Sequence, residues 1–329
     1  MMRLPRFRYL APRSVQEAAA VLADLGPEAA PLAGGTDLLP NMKRRQQTPG
    51  TVVALRGIAA LKGRAGDVRR GLTIGPMTRL SEIERDGGLA AAWPALSRAA
   101  ALVASPPLRN MATLGGNLCL DTRCTFYDQS QEWRESIGYC MKKDGETCWV
   151  APGSDRCFAV SSSDTAPVLC AIGAEVTLVS RGEERRLPVS DLYADDGIRH
   201  LTRRPEEILT AVHLPPIEEG QRVTYLKLRR RGTFDFPILG VAARVRLGTG
   251  GVVESASIFM GAVGSRPQRA QAASEFLVGR KIGDEDVVRE AARLAAQVAK
   301  PLNNTDLSNG WRKQTAREYA ARALRELAR

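Results

Sequence analysis

Residues 113–124 read TLGGNLCLDTRC, and thirty-three residues later the chain continues as FAVSSSDTAPVLCAIGA over 158–174. Gly115 and Gly116, with Asn117, form a tight turn suited to an anionic ligand, because a residue without Cβ lets main-chain N–H groups approach a phosphate closely. Cys124, Cys140, Cys148 and Cys157 follow it directly, so a metal or redox element reads as inserted into a cofactor loop. Working outward, LAGGTDL at 32–38 is a second turn of the same form, set between a short apolar strand at 29–33 and another at 51–55. Most lone Gly-Gly pairs merely reverse the chain. Two in the same strand-turn setting suit a pyrophosphate, which has two phosphates to hold.

The chain has 329 residues, 44% of them hydrophobic, enough for two or three domains with cores of their own. Its first fourteen residues, MMRLPRFRYLAPRS, are basic without an apolar h-region, and no later run approaches the ~20 apolar residues of a membrane span. A cytoplasmic protein with no membrane association is expected. Thiols stay reduced in that compartment, so metal binding outranks disulfides for the six cysteines. The net charge of +11 is spread over short clusters at 43–45, 185–186, 203–204 and 229–231. A nucleic-acid binder would show one basic arm with interleaved aromatics. Solvated basic faces come first here and an acidic protein partner second.

The periodicities predict an α+β protein. Ser14-Val15-Gln16-Glu17 reads as a capping box opening a helix that Gly26 ends. Strands are expected at 72–75 and 175–179, a short helix at 80–84, a longer one at 89–104 with Pro94 near its start, and a helix or turn at 166–171. From 187 onward 189–193, 207–214, 223–230, 241–247 and 255–262 suit strands or strand-and-helix pairs, and 284–300 and 311–328 suit amphipathic helices. The texture changes near residue 181, where the domain boundary is expected.

The cysteine spacing is C-x15-C-x7-C-x8-C. Four thiolates hold either a tetrahedral zinc or a 4Fe-4S cluster, and the paired C-x2-4-C knuckles usual for zinc are missing, so ligand count leaves both open. Of the chain's seventeen aromatic residues, six (Phe126, Tyr127, Trp133, Tyr139, Trp149 and Phe158) lie in this insert. Without helical periodicity, such bulk and metal ligation would have to order it. Cys119 and Cys170 read as buried free thiols, and His200 and His213 as structural.

LAGGTDL, TLGGN and SSSDTAP in this order, then EEILTAVHLPP (206–216) and YLKLRRRGTFDFP (225–237), resemble the FAD-binding subunit of xanthine dehydrogenase-family molybdenum hydroxylases. The cysteine insert is similar to one branch, the β subunit of 4-hydroxybenzoyl-CoA reductase with its additional 4Fe-4S cluster. The resemblance implies a two-part FAD-binding PCMH-type (vanillyl-alcohol-oxidase-like) domain over 1–180. Its subdomains would be about 1–56 and 57–180, with the 4Fe-4S insert at about 119–160. A CO dehydrogenase flavoprotein C-terminal-like α+β domain would follow over 181–329.

The same resemblance implies two cofactors, FAD and a 4Fe-4S cluster, and no catalytic residue. Leu32, Ala33, Gly34, Gly35, Thr36, Asp37, Leu38 and Leu39 would wrap the FAD pyrophosphate through backbone N–H groups. Thr113, Leu114, Gly115, Gly116 and Asn117 would form the second phosphate loop. Val103 would give an apolar contact to the flavin nucleotide, Asp164 would accept from a cofactor hydroxyl, and Leu209 and Lys227 would lie near the isoalloxazine. Cys124, Cys140, Cys148 and Cys157 would ligate the cluster. The implied partners are a molybdenum-cofactor-bearing large subunit and a 2Fe-2S small subunit in an (αβγ)2 assembly, with reduced ferredoxin as donor. Electrons would pass from ferredoxin through the cluster and FAD toward 2Fe-2S and molybdenum, where 4-hydroxybenzoyl-CoA loses its hydroxyl to give benzoyl-CoA. The alternatives are a hydroxylase flavin subunit passing electrons outward to NAD or a quinone, a zinc-stabilised interaction module, and a basic nucleic-acid-binding protein.

Overall fold

The computed structural model describes residues 3–329, which form three units, each with its own sheet. The first carries β1 (Arg8–Leu10), α1 (Val15–Leu25), β2 (Ala29–Leu32), α2 (Leu38–Lys43) and β3 (Thr51–Ala54), with a parallel sheet in the order β1-β3-β2. Helix α1 begins where Ser14 Oγ accepts the Glu17 N–H at 3.1 Å. The other half of the expected box is shifted: Glu17 accepts from the Arg13 N–H at 2.8 Å, one residue earlier. Val15, Ala18, Ala19 and Leu22 share one face of α1 and pack on Val53 and Leu55.

The second unit pairs helices with a five-stranded antiparallel sheet. Its elements are β4 (Arg64–Asp67), β5 (Gly71–Ile74), α3 (Leu80–Arg85), α4 (Gly87–Ala92), α5 (Pro94–Leu102), α6 (Pro106–Arg109), α7 (Leu114–Leu118), α8 (Gln131–Ser136), α9 (Thr165–Ile172), β6 (Glu175–Val179), β7 (Glu184–Pro188) and β8 (Ile208–Leu214). The single helix expected over 89–104 is two, because Pro94 has no N–H to continue α4 and opens α5 as its first residue instead. The stretch 189–193 is a short 3-10 turn rather than a strand. The insert contains one short helix, α8, where no helical period was expected.

The sheet order is β4-β5-β8-β6-β7, so β8 lies between β5 and β6. A boundary at residue 181 falls inside the β6–β7 hairpin and would leave that sheet without its central strand. The change of unit comes after Leu214, and the expected cut is corrected accordingly.

The third unit is an antiparallel sheet, β12-β11-β10-β9, made from β9 (Gln221–Leu228), β10 (Leu239–Leu247), β11 (Val253–Gly261) and β12 (Gln268–Arg269). Helices α10 (Gln271–Leu277), α11 (Glu285–Ala295) and α12 (Asn309–Ala328) cover one face. Strand alternation separates two cores: Val241, Ala243, Val245, Ile258 and Met260 face the helices, while Tyr225, Ala242 and Phe259 join the core of the second unit. The same alternation sets Lys227 on the Tyr225 face, toward α9. Among the described residues no helix is long and apolar enough to cross a membrane.

Candidate functional site

A cavity of about 790 Å³ runs between the three units. Leu32 to Leu38, Val103, Thr113, Gly115, Gly116, Asn117, Asp164 and Leu209 line it. Leu39, Leu114 and Lys227 do not. Leu39 folds back over Gly35, Leu114 is wholly buried in the central core, and Lys227 lies behind Asp164.

The two glycine turns differ in what they offer. In the first, the N–H groups of Gly34, Gly35, Thr36 and Asp37 have no acceptor among the described residues, so four adjacent donors are open to the cavity. Gly35 takes φ +76°, which favours glycine, and a Cβ on Gly34 would land on the Met111 carbonyl oxygen. In the second turn all but the Thr113 amide are spent. Leu114 N donates to Thr78 O at 2.9 Å, Gly115 N to Pro76 O at 2.8 Å, Asn117 N to Thr113 O at 2.9 Å, and Gly116 N to Thr113 Oγ1 at 3.1 Å. The expected second cradle of main-chain amides is therefore corrected to one free donor, the Thr113 N–H. Here glycine is required by packing, since a Cβ on Gly115 would meet Pro76 Cβ at 2.6 Å. What this turn contributes is the side chain of Asn117. Its Oδ1 accepts from Ser163 Oγ at 2.8 Å and Thr165 Oγ1 at 2.7 Å, which leaves the amide NH2 as a donor.

Asp164 stands at the start of α9 but does not cap it; Ser163 Oγ accepts the Ala166 N–H instead, at 3.1 Å. The carboxylate, 2% exposed, accepts from Tyr225 OH at 2.7 Å and from Lys227 Nζ at 2.8 Å. Lys227 also donates to the carbonyl of Leu102 at 2.9 Å, which pins the end of α5 and presents Val103 to the cavity. The lysine expected beside the flavin ring thus acts behind the wall, through Asp164. Burial pushes the Asp164 carboxyl up and the Lys227 ammonium down, and their contact opposes both shifts. Replacing Lys227 with methionine should cost about 3–5 kcal/mol of stability, because it strands a buried carboxylate. Chemical denaturation measures this, and a loss below ~1 kcal/mol would mean that the pair is not strained by removal.

Three wall residues escaped the sequence reading. His200 Nδ1 lies 3.4 Å from the Ile198 carbonyl, its Nε2 has no partner, and burial lowers its pKa. Arg123 crosses from the insert to Asp37. Cys119, expected in the core, is half-buried on the cavity wall. A lone histidine or arginine carries no local signal, so only the fold identifies them. Cys170 is buried in the core, and His213 is held between Thr73 Oγ1 at 2.9 Å and Thr177 Oγ1 at 2.8 Å.

Beside this cavity the insert gathers its four cysteines, each buried: Cys124 7%, Cys140 6%, Cys148 4% and Cys157 4% exposed. Burial pushes the Cys124 thiol up to about 12, and the neighbouring Cys157, Cys140 and Cys148 add to that rise. Cys157 is pushed up to about 11, again by burial, with the Ala159 N–H and Lys142 opposing. The Lys142 side chain is 6% exposed; its Nζ donates to Asp121 Oδ1 at 2.8 Å, Thr122 Oγ1 at 2.7 Å and Gly197 O at 2.6 Å. Asp121 itself lines the cavity. Among the described residues no group of three or more His, Cys, Asp or Glu side chains is arranged to hold a metal ion. The expected ligand set is gathered but not drawn to ligand spacing, and neutral thiols attract one another too weakly to do this themselves. The aromatic mini-core is also smaller than expected: Tyr127 is buried, whereas Trp133 and Trp149 are exposed.

Residues 5–217 match the family described as FAD binding domain in molybdopterin dehydrogenase, and residues 223–327 match the CO dehydrogenase flavoprotein C-terminal domain. The changeover falls after β8, the last strand in the chain to join the second sheet. The chain is 32% identical over 268 residues to the FAD-binding subunit of an aldehyde oxidoreductase from Escherichia coli, covering 79% of this chain and 82% of that one. It is 30% identical over 299 residues to the carbon monoxide dehydrogenase medium chain of Afipia carboxidovorans, covering 91% and 88%. The structure of reconstituted CO dehydrogenase from Oligotropha carboxidovorans superposes with a TM-score of 0.80 at 27% identity, covering 99% of each chain.

Proposed function

The chain belongs to the FAD-binding subunits of the xanthine dehydrogenase and CO dehydrogenase family of molybdenum hydroxylases, and on that footing we propose that it is the FAD- and 4Fe-4S-bearing electron-transfer subunit of a 4-hydroxybenzoyl-CoA reductase. In this reading it is a cytoplasmic protein that takes electrons from reduced ferredoxin. It delivers them to a 2Fe-2S small subunit and a molybdenum-bearing large subunit in an (αβγ)2 assembly, for removal of the phenolic hydroxyl. The observation that carries the branch is the set of four buried thiols gathered beside the flavin cavity. Sulfur is the right donor type for an iron–sulfur cluster, and Cys124, Cys140, Cys148 and Cys157 would hold it once drawn to ligand spacing.

Bound FAD would supply the exchange between two-electron and one-electron transfer. The chain's residues do the rest. The open amides of Gly34 to Asp37 bind the pyrophosphate, and the Asn117 NH2 gives a further donor. Val103 and Leu209 offer apolar wall that excludes water, and Asp164, oriented by Lys227 and Tyr225, holds an acceptor at the cavity surface. A net charge of +11 suits an acidic ferredoxin.

Anaerobic reconstitution of the full chain tests the reading. Flavin absorption, iron and acid-labile sulfide should appear together, and reduction by ferredoxin should slow as salt is raised. FAD without iron or sulfide would favour a hydroxylase flavin subunit passing electrons outward to NAD or a quinone. The names of the similar proteins, an aldehyde oxidoreductase subunit and CO dehydrogenase chains, support that second reading. Zinc without flavin would favour an interaction module.

A further inference from the structure

The loop that offers the open amides also carries a carboxylate, and a carboxylate beside a diphosphate is repulsive. Asp37 is that residue: its own N–H is among the free donors, and it makes no capping bond to α2. Its side chain turns away from the cavity's loop toward the insert. One oxygen pairs with Arg123 Nη2, and the other accepts the Asp121 N–H at 3.2 Å. Arg123 is held at both terminal nitrogens, while its buried Nε has no partner among the described residues. Its Nη1 donates to Asn41 Oδ1 and Asp128 Oδ1, each at 3.1 Å. Its guanidinium lies 4.8 Å from the centroid of the Phe236 ring, supplied by the third unit. Its backbone exchanges two hydrogen bonds with Val160, at 2.8 and 2.7 Å. Arg123, Asp37 and Phe236 all line the cavity.

We propose that Arg123 is a positioning residue for the flavin diphosphate, which neutralises Asp37 and holds its carboxylate away from the phosphate cradle. The proposal rests on FAD occupying the cavity. It gives the insert a task in nucleotide binding that is separate from its four cysteines. The residue that does it comes from 86 positions along the chain, so the cradle is complete only when the insert is docked.

FAD titration of the deflavinated full chain, followed by fluorescence quenching, tests this with three variants. Arg123→Gln should raise the dissociation constant about tenfold to a hundredfold, the order expected when one charge close to a diphosphate loses its counter-ion in a partly buried site. Asp37→Asn should bind several-fold tighter than wild type, because Arg123 then faces the diphosphate with one carboxylate fewer. The double variant should return to near the wild-type value, a rescue that a purely structural role for Arg123 would not produce. Wild-type binding by Arg123→Gln, or a double variant no better than it, overturns the proposal. If Arg123→Gln does not fold, Asp37→Asn decides alone, since weaker binding by that variant is incompatible with the charge argument. Wild-type protein that takes up no FAD at all would overturn the functional reading itself, and this inference with it.

Discussion

Replacing Gly34 with alanine is expected to empty the chain of FAD. The added Cβ would land on the Met111 carbonyl oxygen, a backbone atom that cannot swing aside as a side-chain end can. Met111 is anchored in turn, since its N–H is bonded to Leu108 O at 3.0 Å. The loop must therefore move, and with it the free amides of Gly34, Gly35, Thr36 and Asp37. Each hydrogen bond to a charged acceptor is worth about 1.5–3 kcal/mol, so losing two weakens FAD binding roughly a hundredfold or more. The neighbouring glycine gives a built-in comparison. A Cβ on Gly35 would meet only the ends of Leu39 and Leu32, at 3.0 and 3.3 Å, and Gly35→Ala is opposed chiefly by its φ of +76°. That strain costs about 1–2 kcal/mol. Flavin content after purification, with a binding titration of each variant, measures the difference. Undiminished FAD in Gly34→Ala would mean that this turn does not hold the nucleotide.

The second large effect is expected at the cysteines. Serine at position 140 or 148 should drop iron and acid-labile sulfide to background after anaerobic reconstitution, because a hydroxyl is a harder and far weaker ligand for iron than a thiolate. FAD should stay at its wild-type ratio. Neither side chain lines the cavity, and the turn carrying Cys140 is tied by bonds of its own, Gly145 N to Cys140 O at 3.1 Å and Met141 N to Thr147 O at 3.0 Å. Full iron retention in both variants would refute this ligand set. Loss of FAD along with the iron would show that the thiol pocket and the flavin cavity are one cooperative site.

Much of the local structure was open to reading from the chain alone. Helix α1 follows from the Ser14 cap, the apolar spacing and Gly26, all set by neighbours within one or two turns. Strands β9 to β11 follow from alternation, which also sorts Tyr225 from Leu226 between two cores. Both glycine turns were found for the same reason, as a short motif carries its own backbone requirement. The chemistry of the second turn was misjudged, because whether an amide is free depends on Pro76 and Thr78, and no local pattern around 113–117 announces them.

Local periodicity and motif therefore settled that this is an α+β chain with two glycine turns and four cysteines in one insert. Residue type and near-neighbour spacing suffice for that much. Folding alone decided that β8 returns to the middle of the second sheet, that Lys227 serves Asp164 from 63 positions away, and that Arg123 and His200 reach the cavity. These are pairings between distant segments. Each depends on how whole sheets and helices pack, and the energy that selects the packing is summed over hundreds of contacts rather than written at any one residue.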